Sequence, residues 1–117
     1  MANVFKVITK AGVGAVGSQT TLLTVPSAKT EVILSLLLAI KHTESIKATV
    51  ILSSDTTQSG ASANADVYIV KDVTIDKENS LEIMSGQKYI LNTTDLLKVY
   101  ADNANIDVVL SYMEQDV

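Results

Sequence analysis

The stretch VILSLLLAI, residues 32–40, decides the fold class. Read with a period of two, Val32, Leu34, Leu36, Leu38 and Ile40 share one face, all large and aliphatic. Ile33, Ser35, Leu37, Ala39 and the following Lys41 form the other. Read as a helix the segment is apolar all round, with neither a stripe nor a polar face. At nine residues it is about half of what spans a bilayer as a helix. We therefore read it as a strand of a soluble protein, with no membrane partner.

The neighbours repeat the pattern. Ile46, Ala48, Val50 and Leu52 alternate with Lys47, Thr49, Ile51 and Ser53, and the polar HTES turn at 42–45 has hairpin length. This predicts 31–41 and 46–54 as paired antiparallel strands. Val67, Ile69, Lys71, Val73 and Ile75 alternate with Tyr68, Val70, Asp72 and Thr74. A DKEN turn leads to Leu81–Met84, and Ser85-Gly86 separates that segment from Lys88–Leu91 as a short hairpin. NTTD at 92–95 precedes a strand over Leu96–Ala101, and DNAN at 102–105 precedes one over Ile106–Met113. In the last strand Ile106, Val108, Leu110 and Tyr112 oppose Asp107, Val109, Ser111 and Met113. Eight or nine short strands without a helix predict an all-β, antiparallel β-sandwich, either jelly-roll or Ig-like, of about eight strands.

The 117 residues make one domain, 1–117, with 1–18 as an extended N-terminal arm. No basic start feeding an apolar core and a cleavage site follows Met1, so no signal peptide is expected. The chain has no cysteine, one histidine, no arginine among its nine basic residues and a formal charge of −4. Thiolate chemistry and multi-histidine metal sites are thereby excluded. The missing guanidinium and the acidic balance speak against nucleic acid as a partner.

Gly12, Gly14 and Gly17 fit G-x-G-x-x-G behind an apolar run, as a dinucleotide turn would. Such a turn must open a helix whose N-terminus holds the pyrophosphate. Here SQTTLLTVP follows, a strand and a turn, and Glu31, at the distance of a ribose-binding acid, begins a strand. The glycines are read as a connection, not a cofactor loop. Ser85-Gly-Gln-Lys88 matches S-x-x-K, yet it occupies a turn, and no K-T-G follows. Asp102–Asp107 departs from a calcium loop, with Ala104 on a ligand position. Asp72, Asp76 and Glu78 offer no better set. His42 reads as a turn histidine, and the Asn92-Thr-Thr94 sequon is without consequence unless the chain is secreted. No cofactor, metal or enzymatic activity is expected.

A free-standing two-layer sandwich has polar outer faces. Ile33, Leu37 and Ala39 behind the main row of 32–40, and Tyr68 and Val70 in 67–75, predict a second burial surface, most simply another subunit. Val4, Phe5, Val7 and Ile8, joined to the body by the glycine-rich link, are expected to reach a neighbour as an added strand. The expected interface is thus Val4, Phe5, Val7, Ile8, Ile33, Leu37, Tyr68 and Val70. A glycan-binding alternative uses the 53–66 loop with Tyr68, Tyr89 or Tyr100, although the chain has only one Phe and four Tyr.

GSQTTLLTVPSAKTEVILSLLLAIKHTESIKATVIL resembles the N-terminal half of small phage virion proteins, in which a TVP…KT turn introduces a long aliphatic strand. YIVKDVTIDKENSLEIMSGQKYILNTTDLLKVYA and IDVVLSYME resemble their C-terminal half. The resemblance spans roughly 17–114 and departs from it in the turns, where Asp76-Lys77-Glu78 and Asn92-Thr93-Thr94 replace the usual Pro and Gly. It implies a virion structural component, a capsid decoration or cement protein that bridges major capsid subunits as a trimer or dimer. A tail- or fibre-associated module, touching a tail protein, is the alternative. It implies no functional residues.

Overall fold

A computed structural model describes residues 3–14, 18–54 and 66–116. Nine strands follow one another: β1 (Asn3–Ala11), β2 (Thr20–Thr24), β3 (Lys29–Ile40), β4 (Ile46–Ser53), β5 (Val67–Ile75), β6 (Ser80–Glu82), β7 (Tyr89–Leu91), β8 (Leu96–Ala101) and β9 (Ile106–Asp116). They form two antiparallel sheets. The first runs β1-β9-β3, with β6 and β7 both on the far side of β3, and the second runs β2-β8-β4-β5. The all-β sandwich expected from the alternation is what the chain adopts.

The strand order goes further than the alternation. Every connection except β4–β5 and β6–β7 crosses from one sheet to the other. β6 pairs with Leu37–Ala39 and β7 with Glu31–Ile33, both antiparallel to β3, so they are two pieces of one interrupted strand. Eight strand positions in the orders 1-9-3-(6+7) and 2-8-4-5 are those of a jelly roll.

Two pairings differ from those expected. β3 and β4 do not form a hairpin; they lie in opposite sheets. Ile40 and Ile46, on either side of the HTES turn, are both buried, so the turn must carry the chain across the core. Likewise 81–84 and 88–91 do not pair with each other. Ser85 and Gly86 adopt positive φ (49° and 84°), which lets the chain leave the edge of β3 and rejoin it. In the gap Met84 turns inward and is buried. Where the ladder is broken, the Glu82 carboxylate accepts from the Leu36 and Met84 amides, each at 2.9 Å.

A further difference lies inside β3. Its register against β9 shifts between Ile33 and Ser35, leaving Leu34 as an inserted residue. The bulge switches the alternation. Glu31, Ile33, Leu36, Leu38 and Ile40 face the core, while Val32 and Leu34 turn outward. β9 keeps its phase, with Ile106, Val108, Leu110 and Tyr112 buried as expected. In the second sheet Ala48, Val50, Val99 and Ala101 meet this layer from the other side.

The glycine motif has a structural explanation. Gly12 ends β1 at φ +84°, and its amide donates to the Ile106 carbonyl at 2.7 Å. A Cβ on Gly14 would lie 1.5 Å from the Ser18 carbonyl oxygen. Close backbone approach therefore demands glycine there. Gly17 lies outside the described residues, as does 55–65 of the long loop.

Candidate functional site

The register of the first sheet places residues in rows. Phe5, Met113, Val32 and Ile90 stand side by side across β1, β9, β3 and β7 on the outer face. Thr9, Val109, Leu37 and Glu82 form a parallel row nearer the other end, with Val7 and Ser111 between them. Phe5 is 73% exposed, Ile90 65% and Val7 60%. Phe5, Val7, Leu34 and Ser111 enclose a shallow apolar hollow where the small serine leaves room. The result is an apolar sheet face open to solvent, with its nearest ion pair, Lys41–Asp107 at 2.8 Å, at one end.

The expected interface residues divide on this frame. Phe5, Val7 and Leu37 lie on the outer face. Val4 and Ile8 are on the opposite face of β1, Val4 45% exposed and Ile8 packed against the core. Ile33 does not belong to a surface at all. The bulge at Leu34 puts it in the core, only 1% exposed. Val70 is likewise not an outer residue: irregular pairing of β5 sets it opposite Val50, against the core. Tyr68 is half exposed at the edge strand β5, with the Lys71 ammonium 5.0 Å from its ring. Val32, Ile90 and Met113 were not foreseen. Only Met113, together with Val109, carried a signal, as an apolar residue behind the core row of β9.

β1 forms the second notable feature. Residues 3–11 pair along their whole length with β9 of the same chain, from Asn3↔Gln115 to Ala11↔Asp107. All but Ile8 are exposed, because the second sheet does not extend beneath β1. Its outer edge is free of a strand neighbour among the described residues.

One charged link ties the inward side of β1 to the body. Lys6 Nζ lies 2.9 Å from Glu114 Oε1, and Glu114 is paired in register with Glu31 on β3. Glu31 is fully buried, and neither carboxyl oxygen accepts a hydrogen bond. Burial and then the neighbouring Glu114 raise its pKa from 4.5 to about 7. The hydrogen bond from Lys6 holds Glu114 below the ordinary carboxylate range, and the same bond raises Lys6. Burial and the neighbouring Glu114 carboxylate thus both favour the neutral form of Glu31, two carboxyls facing one lysine. Burial also raises Tyr112, next along β9 on that face.

The remaining motifs are used by the backbone. Asp102 accepts from the Lys47 amide at 3.0 Å and Asn103 from the Asn105 amide at 2.9 Å, while Asp95 closes the NTTD turn on the Asn92 amide at 3.0 Å. His42 lies between the side-chain amides of Asn103 and Asn105, joining two crossing turns. Ser85 Oγ donates to the Glu82 carbonyl, and Lys88 is exposed nearby. No three His, Asp or Glu side chains gather among the described residues. Among the tyrosines of the glycan alternative, Tyr100 is buried and Tyr89 packs inward, leaving Tyr68 alone as an open ring. Among the described residues no helix is long and apolar enough to cross a membrane.

No protein-family model matches the chain, and no curated protein matches it. A chain from the crystal structure of an IBDV viral particle aligns with a TM-score of 0.49 at 7% identity. The alignment covers 98% of this chain and 36% of that one, so this chain spans about a third of that chain's length.

Proposed function

We propose that the chain is a non-enzymatic structural component of a virus particle, most concretely a phage capsid decoration protein that binds the assembled head and bridges capsid subunits. The observation that carries this reading is an adhesive surface on a jelly roll: an open apolar sheet face that includes a strand, β1, exposed on both sides and, among the described residues, free along one edge. Jelly rolls recur in viral shells as well as in lectins and cupins, so the fold enters only as analogy. The sequence resemblance to small virion proteins selects among those uses. Mechanistically, β1 offers its unpaired edge to an extended segment of the capsid protein, main-chain hydrogen bonds supplying affinity. Binding to assembled shell but not to separated subunits stabilises the shell by mass action.

Immunogold electron microscopy of intact particles, with antibody against the purified domain, tests the reading. Gold over heads is expected. Gold confined to tails would replace it with the tail- or fibre-associated alternative, and bare particles would remove the virion role.

A further inference from the structure

We propose that the outer face of the β1-β9-β3-β6/β7 sheet is the interface of an isologous dimer, covered by a second copy of this chain. The face is long and uncharged through its middle, where Met113, Val32, Val109, Leu37, Ser111 and the bulged Leu34 meet. Contiguous apolar surface of this extent marks an interaction site on a monomer. Charge is kept to the periphery, at Lys41–Asp107 at one end and at Glu82 on the β6 edge, where its carboxylate is engaged by the Leu36 and Met84 amides. An apolar centre with a charged rim is the anatomy of homodimer contacts.

Size and shape select the occupant. Four strand positions at about 4.8 Å and nine residues at about 3.3 Å give a face of roughly 19 by 30 Å. Side-chain relief brings its accessible area toward the ~800 Å² that each partner contributes to a standard interface. A second copy brings a sheet of the same twist, which packs face to face with strands aligned to within about 30°.

The long row is also self-complementary. A two-fold axis parallel to the strands, passing between β9 and β3, exchanges the two ends of the row Phe5-Met113-Val32-Ile90. Phe5 then covers Ile90 of the second copy, and Met113 covers Val32. The two most exposed large hydrophobic side chains of the described surface, Phe5 and Ile90, are thus buried against each other twice. The free edge of β1 stays at the flank of the dimer, open to a further partner.

Sedimentation velocity of the purified full chain, up to roughly 100 μM, tests this. The wild type is expected at twice its 12.5 kDa mass. Phe5→Asp and Ile90→Asp, each at a site more than 60% exposed, should weaken the dimer at least ~10-fold with an unchanged circular dichroism spectrum and Tm. Within one chain Phe5 and Ile90 stand three strand spacings apart, about 14 Å. In this cysteine-free chain, the F5C/I90C double variant treated with a short bismaleimide should therefore give a covalent dimer and each single variant little. A monomeric wild type, a trimer, or a dimer indifferent to both aspartates would overturn the proposal. Its outcome is independent of the particle role: a solution dimer with bare particles sinks only the latter, and gold-labelled heads with a monomer sink only the dimer.

Discussion

At the scale of single residues, the most consequential position is Glu31. A carboxyl held near pKa 7 when folded, against 4.5 ordinarily, binds more protons folded than unfolded between those values. Stability from this group is therefore fully present below about pH 4.5 and is lost as pH rises toward 7. Glu114, lowered by Lys6, acts in the opposite sense, its contribution being lost as pH falls below the ordinary carboxylate range. Replacing Glu31 with Gln keeps the donor and removes the titration. We expect E31Q to abolish the fall in urea midpoint between pH 4.5 and 7 and to exceed the wild type in stability at pH 8. Parallel curves for the two proteins would show that Glu31 stays charged when folded.

Glu31 also marks what a periodic reading misses. A charged residue at the head of an aliphatic strand looks like a strand end; in the fold it is core. Its counterpart Glu114 ends the β9 row, and only pairing of β3 with β9 brings the two carboxyls together. The lysine that balances them comes from β1, 108 residues from Glu114 in sequence.

At the scale of elements, the interrupted edge of β3 depends on one side chain. Glu82 fills the place of missing ladder partners by accepting from the Leu36 and Met84 amides. Removing it leaves the Leu36 amide without its acceptor in a half-buried position. We expect Glu82→Ala to cost roughly 1–3 kcal/mol, read from chemical denaturation, and to speed hydrogen exchange at Leu36 and Met84 selectively. Exchange unchanged at both amides would show that water or a rearranged 83–88 segment takes over.

Strand existence was legible in this chain because alternation is local, and β9 and β8 follow their patterns closely. Pairing was not. HTES has the length of a hairpin, yet Ile40 and Ile46 are both drawn inward, so the turn spans the two layers instead. The Leu34 bulge is equally invisible in a nine-residue run with Ser35 as its one polar member, since either phase leaves aliphatic side chains on both faces. That ambiguity moved Ile33 from the expected interface to the core and sent Val32 the other way.

At the scale of the whole molecule, β1 is an annex. The second sheet covers β9, β3 and their far neighbours, and β1 overhangs it, contributing only Ile8 to the packed interior. Deleting residues 1–10 should therefore leave a cooperatively folding body, with a lowered Tm and exposed β9 edge, while abolishing binding to particles in a co-sedimentation assay. Retained binding would place the attachment elsewhere; loss of cooperative melting would show β1 to be part of the core after all. The jelly-roll order, with all but two connections crossing between layers, makes the body self-sufficient by tying both sheets together repeatedly.

The sequence by itself determined that the chain is all-β, where most strands lie, that its glycine motif opens no nucleotide-binding helix, and that apolar surface is left over after one core is filled. Those properties follow from side-chain periodicity and from turn chemistry, both of which act over a few residues. Only the tertiary structure decided which strands pair, which face of β3 is inside, and that Lys6, Glu31 and Glu114 form one cluster. It also decided that Phe5 and Ile90 end the same row. These depend on contacts between distant segments, and a bulge of one residue reverses faces in a stretch that is aliphatic on both of them.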